Sequence, residues 1–213
     1  MNNRNFQIPE VIVIPIQNLT LSHIAPKLSS PGSYRIVCQL VGMIKIIRAF
    51  DEHLHLLTKI GSKTLHESHG RSAPAHIMNA YVNDKFSEAA LKAELSDPNN
   101  IFHLIYHNDI PTGYSKIIYN IPIDPVPLPN ITKMERLYLL EEFHGLKLGH
   151  ELMQFNVEIS KQHNQAGMWL YVWKENHRAL DFYKRTGFKI VGDGLFRLTD
   201  EHSNPNWQMY LEY

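Results

Sequence analysis

The chain has 213 residues, enough for one well-buried domain. Lysine plus arginine equals aspartate plus glutamate at 21 each, a balance that excludes the basic footprint of a nucleic-acid or acidic-membrane binder. Cys38 is the single cysteine, which excludes an intrachain disulfide framework and fits a reducing compartment.

No run approaches the ~20 apolar residues of a membrane span. The opening Met1-Asn-Asn-Arg-Asn-Phe6 lacks the basic-then-apolar order of a secretory signal, so a cytoplasmic protein is expected. In residues 1–42 the apolar Val11-Ile-Val-Ile14 runs into Pro15, and Pro26, Pro31 and Gly32 carry only loop signals. The expectation is a disordered extension, or a segment upstream of the true start, followed by one domain over residues 43–213. Ile44, Ile46 and Ile47 read as a strand. Asp51 is placed to cap a helix with apolar residues at Leu54, Leu57 and Leu65. Thirteen histidines raise the question of a metal, and His66 and His69 flank Glu67 at helical spacing. No Cys-x-x-Cys or His-Glu-x-x-His spacing supports them, so solvated helix surface and no metal are expected.

Two short helices follow, about Ala75 to Asn83 and then Glu88 to Leu95 behind a Ser87 cap. Ile101 to Tyr106 and Thr112 to Ile118 read as strands joined by the hairpin signal Asn108-Asp109. A loop with Pro122, Pro125, Pro127 and Pro129 leads to a strand containing Glu135. Strands at Phe188–Val191 and Trp207–Tyr213 close the chain. The class is mixed α/β.

Between these lie two strand-to-helix units. The first is Glu135-Arg-Leu-Tyr-Leu-Leu-Glu-Glu-Phe-His-Gly-Leu-Lys-Leu-Gly149, before an amphipathic run with Leu148, Leu152, Phe155 and Ile159. The second is Trp169-Leu-Tyr-Val-Trp-Lys-Glu-Asn176, then Arg178-Ala-Leu-Asp-Phe-Tyr183-Lys-Arg-Thr-Gly187-Phe188. A strand running into a helix aims unpaired backbone N–H groups at an anion. Asn176 suits a helix N-cap, and Tyr183 lies seven residues on, two turns along nearly the same face.

Together these units resemble the acetyl-CoA-binding core of the GCN5-related N-acetyltransferases (GNAT), over roughly Met43 to Tyr213. The resemblance implies the GNAT fold, a mixed central sheet of six to seven strands flanked by helices, with acetyl-CoA as co-substrate. The family's phosphate loop reads Gln or Arg, two residues, Gly, any residue, Gly or Ala. By position, His144, Gly145, Leu146, Lys147, Leu148 and Gly149 would cradle the CoA pyrophosphate, with His144 in the Gln/Arg place and Lys147 where the first glycine is usual. Lys147 either takes positive φ, at a cost of roughly 1 kcal/mol, or sits in helical geometry with its ammonium toward the pyrophosphate. The backbones of Leu137, Tyr138 and Leu139 would pair with the acetyl and pantetheine amides. Asn176 would touch the CoA arm, and Tyr183 would protonate the departing thiolate.

An amine nucleophile must lose a proton, and Glu135 is the expected base because alternation puts it on the face of Leu137 and Leu139. Glu142 and Glu67 stand behind it. Thr64-Leu-His-Glu67, Asp97-Pro-Asn-Asn100, Glu135-Arg-Leu-Tyr138 and Phe196-Arg-Leu198 are similar in order to bacterial spermidine/spermine N-acetyltransferases. That implies a polyamine acceptor, with another small amine or a protein N-terminus also open. A non-catalytic acetyl-CoA-binding regulatory module is the alternative, because of His144 and Lys147. The aromatic C-terminal strand, Trp207 to Tyr213, is a possible homodimer edge.

Overall fold

Alternating and β-branched runs along the chain assemble into one mixed sheet. This computed structural model describes residues 42–213 and the backbone of Val11–Ile14. Its strands are β1 (Val11–Ile14), β2 (Ile44–Arg48), β3 (Ile101–His107), β4 (Ile110–Ile118), β5 (Thr132–Leu139), β6 (Gly167–Trp173), β7 (Lys189–Arg197) and β8 (Ser203–Glu212). Their spatial order is β1-β2-β3-β4-β5-β6-β8-β7, and only β5 and β6 run parallel. Seven of the strands start at or after Ile44, in agreement with the expected sheet. The expected extension over residues 1–42 lies outside the described residues except at Gly42 and at Val11–Ile14, where β1 pairs antiparallel with β2.

Among the described residues five α-helices cover the faces: α1 (Leu54–His69), α2 (Ala75–Lys85), α3 (Glu88–Ser96), α4 (Leu148–Gln162) and α5 (His177–Arg185). Leu57, Ile60, Leu65, Met78 and Leu91 of α1–α3 pack with Phe102, Leu104 and Tyr114 on one face. Leu148, Leu152, Phe155, Ile159 and Leu180 of α4 and α5 pack with Ile105, Ile117, Met168 and Leu170 on the other. Period-two alternation along β3 divides Leu104 and Ile105 between these layers.

Local chemistry accounts for most boundaries. Asn108 and Asp109 both take positive φ, 51° and 60°, which makes the tight hairpin between β3 and β4. Ser87 caps α3 by accepting from the Ala90 N–H at 3.2 Å. Asp51 is not a cap: it opens a 3-10 turn over Asp51–His53, and extended Phe50 stands at the entry. The closing hairpin is longer than the sequence signals suggested, since β8 lies between β6 and β7 and pairs along nearly its whole length. Pairing on both sides overrides the weak strand propensity of Ser203-Asn-Pro-Asn206. The C-terminal strand is therefore interior and supplies no edge. The edge on that side of the sheet belongs to β7, with Leu195 exposed.

One irregularity matters for the site. Lys116 of β4 pairs with Arg136 while Ile117 pairs with Met134, so Glu135 is an extra, bulged residue. The bulge resets alternation: Met134, Leu137 and Leu139 face α4, whereas Lys133, Glu135 and Arg136 face α1–α3. Glu94 of α3 clamps this stretch. Its carboxylate accepts from Arg136 Nη1 and Nη2 at 2.9 and 2.7 Å and from Lys116 Nζ at 2.9 Å.

Within the α4-side layer, His103 is 2% exposed, stacks edge-on to Phe155 at 4.8 Å, and has no partner for Nδ1 among the described residues. Burial first, and the positive charge of Arg48 second, pull its pKa down to about 3. A folded-state pKa below the unfolded value of about 6.5 means stability is complete above that pH and is lost as pH falls from 6.5 toward 3. Urea unfolding should show stability dropping between pH 7 and pH 4.5, and His103→Leu should lose less over the same interval; equal losses would exclude His103 as a source.

Candidate active site

The parallel pairing of β5 with β6 lasts two residues, Thr132 with Met168 and Lys133 with Trp169. Beyond it β5 stays with β4 as far as Leu139, and β6 stays with β8 as far as Trp173. The strands splay, and a cleft of about 960 Å³ opens between them. That is a volume suited to a small molecule or cofactor. The N–H of Leu140 turns toward β4, donating to Thr112 O at 2.9 Å. Backbone groups alternate, so those of Leu137 and Leu139 point into the cleft while those of Tyr138 turn toward β4. Tyr138 lines the cleft through its ring.

The next segment forms an anion cradle. Gly145 and Lys147 have positive φ, 87° and 61°, and the chain then turns into α4 at Leu148. Lys147 thus takes the left-handed conformation, not the helical one. Among the described residues, none of the five backbone N–H groups from Gly145 to Gly149 has a protein acceptor. Five free donors at the start of a 15-residue helix favour a polyanion. Gly149 is needed for packing: a Cβ there would lie 3.2 Å from Leu139 Cδ1 and hold α4 off β5. Lys147, Arg178 and Arg185 also line this end, and none is in an ion pair among the described residues. Sequence reasoning missed the two arginines, although seven-residue spacing puts both on one face of α5. His144 Nε2 donates to Leu139 O at 3.1 Å, which leaves Leu139 only its N–H for a ligand. Burial, with Arg178 nearby, lowers the His144 pKa, so the ring is neutral at pH 7.

At the N-cap of α5, Asn176 Oδ1 accepts from the Ala179 N–H at 3.1 Å, and the Nδ2 hydrogens have no acceptor among the described residues. Tyr183 lies 8% exposed against Phe182 and Phe188, with ring centroids 5.2 and 5.6 Å away. Its hydroxyl borders the cleft without a protein partner among the described residues. Burial first and Tyr138 second raise its pKa well above the ordinary tyrosine range, so it keeps its proton across all working pH.

The opposite wall carries the apolar and aromatic side chains of Leu65, Met78, Tyr138, Trp173, Phe196 and Leu198, with the charged Glu67, Lys133, Glu135 and Arg136 beside them. His69 belongs to this wall and not to a solvated surface. Its ring lies 6.1 Å from Tyr138 and 6.2 Å from Trp173. The sequence did carry the signal, for Leu57, Gly61, Leu65 and His69 form a single i, i+4 stripe. Among the described residues no three His, Cys, Asp or Glu side chains converge as metal ligands.

Glu135 departs from its expected place. The bulge removes it from the face of Leu137 and Leu139, and it pairs with Lys133 at 3.1 Å and Lys116 at 3.9 Å. Burial pushes its pKa up, but the two ammonium groups outweigh this and leave it below the ordinary value. Glu67 accepts from the Glu141 N–H at 2.9 Å, and Glu142 binds Lys63 at 2.9 Å.

Residues 63–188 match the model of the Acetyltransferase (GNAT) family. An uncharacterized N-acetyltransferase of Mycobacterium bovis is 32% identical over 132 residues, 62% of this chain and 80% of that protein. Another from Lactobacillus delbrueckii subsp. lactis is 25% identical over 158 residues, 74% of this chain and 91% of that one. Among solved structures, the PaiA N-acetyltransferase of Thermoplasma acidophilum, crystallised with coenzyme A, superposes with a TM-score of 0.64 at 21% identity, covering 80% of this chain and 99% of that one. A GCN5-related N-acetyltransferase from Rhodopseudomonas palustris gives 0.62 at 12% identity, over 79% and 94%. The chain belongs to the GNAT family, and it is an N-acetyltransferase that uses acetyl-CoA as acetyl donor. The free amides, unpaired cations and open β5 edge fit that co-substrate.

Two substitutions should move stability in opposite directions. Lys147→Gly relieves left-handed strain and should raise unfolding free energy by about 0.5–1 kcal/mol. Asn176→Ala removes the α5 cap and should lower it by about 1 kcal/mol. Urea titrations of both variants check the pair, and a destabilised Lys147→Gly would contradict the strain at that position.

Proposed function

We propose that this enzyme acetylates a primary amine carried on an apolar or aromatic body, with Tyr183 as the general acid. The observation that carries the reading is the partnerless Tyr183 hydroxyl, bordering one cleft that joins an anion cradle to an aromatic wall. Gly145 to Gly149 with Lys147, Arg178 and Arg185 hold the pyrophosphate and phosphate charge. Leu137 and the Leu139 N–H align the acyl and pantetheine amides, and Asn176 Nδ2 donates to the same arm. Acetyl-CoA supplies an activated acyl group. Tyr183 protonates the departing sulfur, a step its raised pKa permits because the proton is still present at neutral pH.

The acceptor wall favours an apolar amine over a bare polycation. Of the carboxylates there, Glu67 faces Lys63 at 3.8 Å, and Glu135 is held by two lysines. A polyamine such as spermidine or spermine is the second reading, favoured by those same carboxylates if they exchange partners.

Free-thiol release from acetyl-CoA, followed with arylalkylamines, alkylamines, polyamines and N-terminal peptides, should be fastest with arylalkylamines; preference for spermidine would favour the second reading. With the best amine, Tyr183→Phe should lower kcat about 100-fold while acetyl-CoA affinity changes less than about threefold. Unchanged turnover would remove Tyr183 from the mechanism.

A further inference from the structure

We propose that His69 is the general base of the reaction, accepting the amine proton at Nε2; this rests on the acetyltransferase reading above. The hydrogen bonds around the ring decide which nitrogen is free. Ser68 has one hydroxyl proton, and it donates that proton to Thr64 O at 2.7 Å. The Ser68 oxygen can then only accept from His69 Nδ1, 2.7 Å away. Nδ1 therefore carries the ring proton, and Nε2 presents a lone pair. Among the described residues Nε2 has no partner, and the ring lines the cleft between Tyr138 and Trp173.

The surroundings suit the chemistry. An alkylammonium has a pKa near 10.4 and loses its first proton to solvent, leaving about one neutral amine in a few thousand at pH 7. The neutral amine is the form an apolar wall accepts. As the N–C bond forms, nitrogen gains positive charge and its remaining protons become acidic, so a weak neutral base suffices. His69 Nε2 takes one proton, and Tyr183 delivers one to sulfur as the C–S bond breaks, so the protons balance. Both groups reset through the open cleft. Burial lowers the His69 pKa to about 4, so the ring is neutral and ready at pH 7.

The charged and titratable groups on this wall are Glu67, Lys133, Glu135, Arg136, Tyr138 and Tyr171. The four charged ones are engaged elsewhere. Glu67 accepts from the Glu141 N–H, Lys133 pairs with Glu135, and Arg136 pairs with Glu94. Glu135, the base expected from sequence, already serves two lysines.

The test uses the best amine from the panel, with acetyl-CoA affinity measured by calorimetry as a check of folding. His69→Gln should lower kcat about 100-fold with acetyl-CoA affinity within about threefold, and the acid limb of the kcat/KM profile assigned to His69 should disappear. Ser68→Ala frees the tautomer and should lower kcat several-fold with the profile retained. A His69→Gln enzyme that binds acetyl-CoA and keeps kcat within threefold of wild type overturns the assignment. If that variant does not bind acetyl-CoA, a Ser68→Ala enzyme of unchanged kcat overturns it instead. Wild-type protein inactive on every amine overturns the functional reading itself, and His69 with it.

Discussion

Everything in the site depends on β5 leaving β6 after Lys133. A strand edge inside a domain is costly, because unpaired N–H and C=O groups lose their water without gaining a partner. Here the edge is kept open because each strand is fully held on its other side, β5 by β4 through Leu139 and β6 by β8 through Trp173. The Glu135 bulge adds local twist at the start of the split. The Glu94 clamp on Arg136 and Lys116 holds the twisted stretch against α3. Removing one member of so covered a cluster would leave an uncompensated charge beside the cleft.

The two ends of the cleft have opposite electrostatic character. At the α4 end, backbone amides and three cations that have no partner among the described residues converge, so little reorganisation is needed to hold a polyanion. At the other end, aromatic and aliphatic side chains surround His69, and the carboxylates present are already matched with cations. Such a division suits the proposed roles, a donor held by charge and an acceptor selected by shape and desolvation. Tyr183 borders the cleft from the α5 side, and burial holds its pKa above the ordinary tyrosine value.

Much of this was legible in the sequence. Turn and cap chemistry are local, so Asn108-Asp109, Ser87 and Asn176 could be read directly, and so could the order of strands and helices. The order of the two strand-to-helix units carried the family. What escaped was non-local. The Glu135 bulge depends on how β4 lies against β5, and plain alternation therefore put Glu135 on the wrong face. The length of the closing hairpin depends on β8 being paired on both sides. His69 escaped for a different reason. Its i, i+4 relation to Leu65 was available, but its polarity and its proximity to His66 suggested a solvated surface.

The conformation of Lys147 joins these threads. Glycine would take φ 61° without strain, yet a lysine stands there at a cost of roughly 1 kcal/mol. The Lys147 and Leu148 N–H groups are unbonded because they stand at the start of α4, and the left-handed turn sets the direction from which the chain enters. Lysine adds a full positive charge beside those partial ones, in a loop where His144, neutral at pH 7, takes the place that reads Gln or Arg in the family. A strained lysine thus supplies, at the helix N-terminus, a charge that the neutral His144 three residues earlier does not.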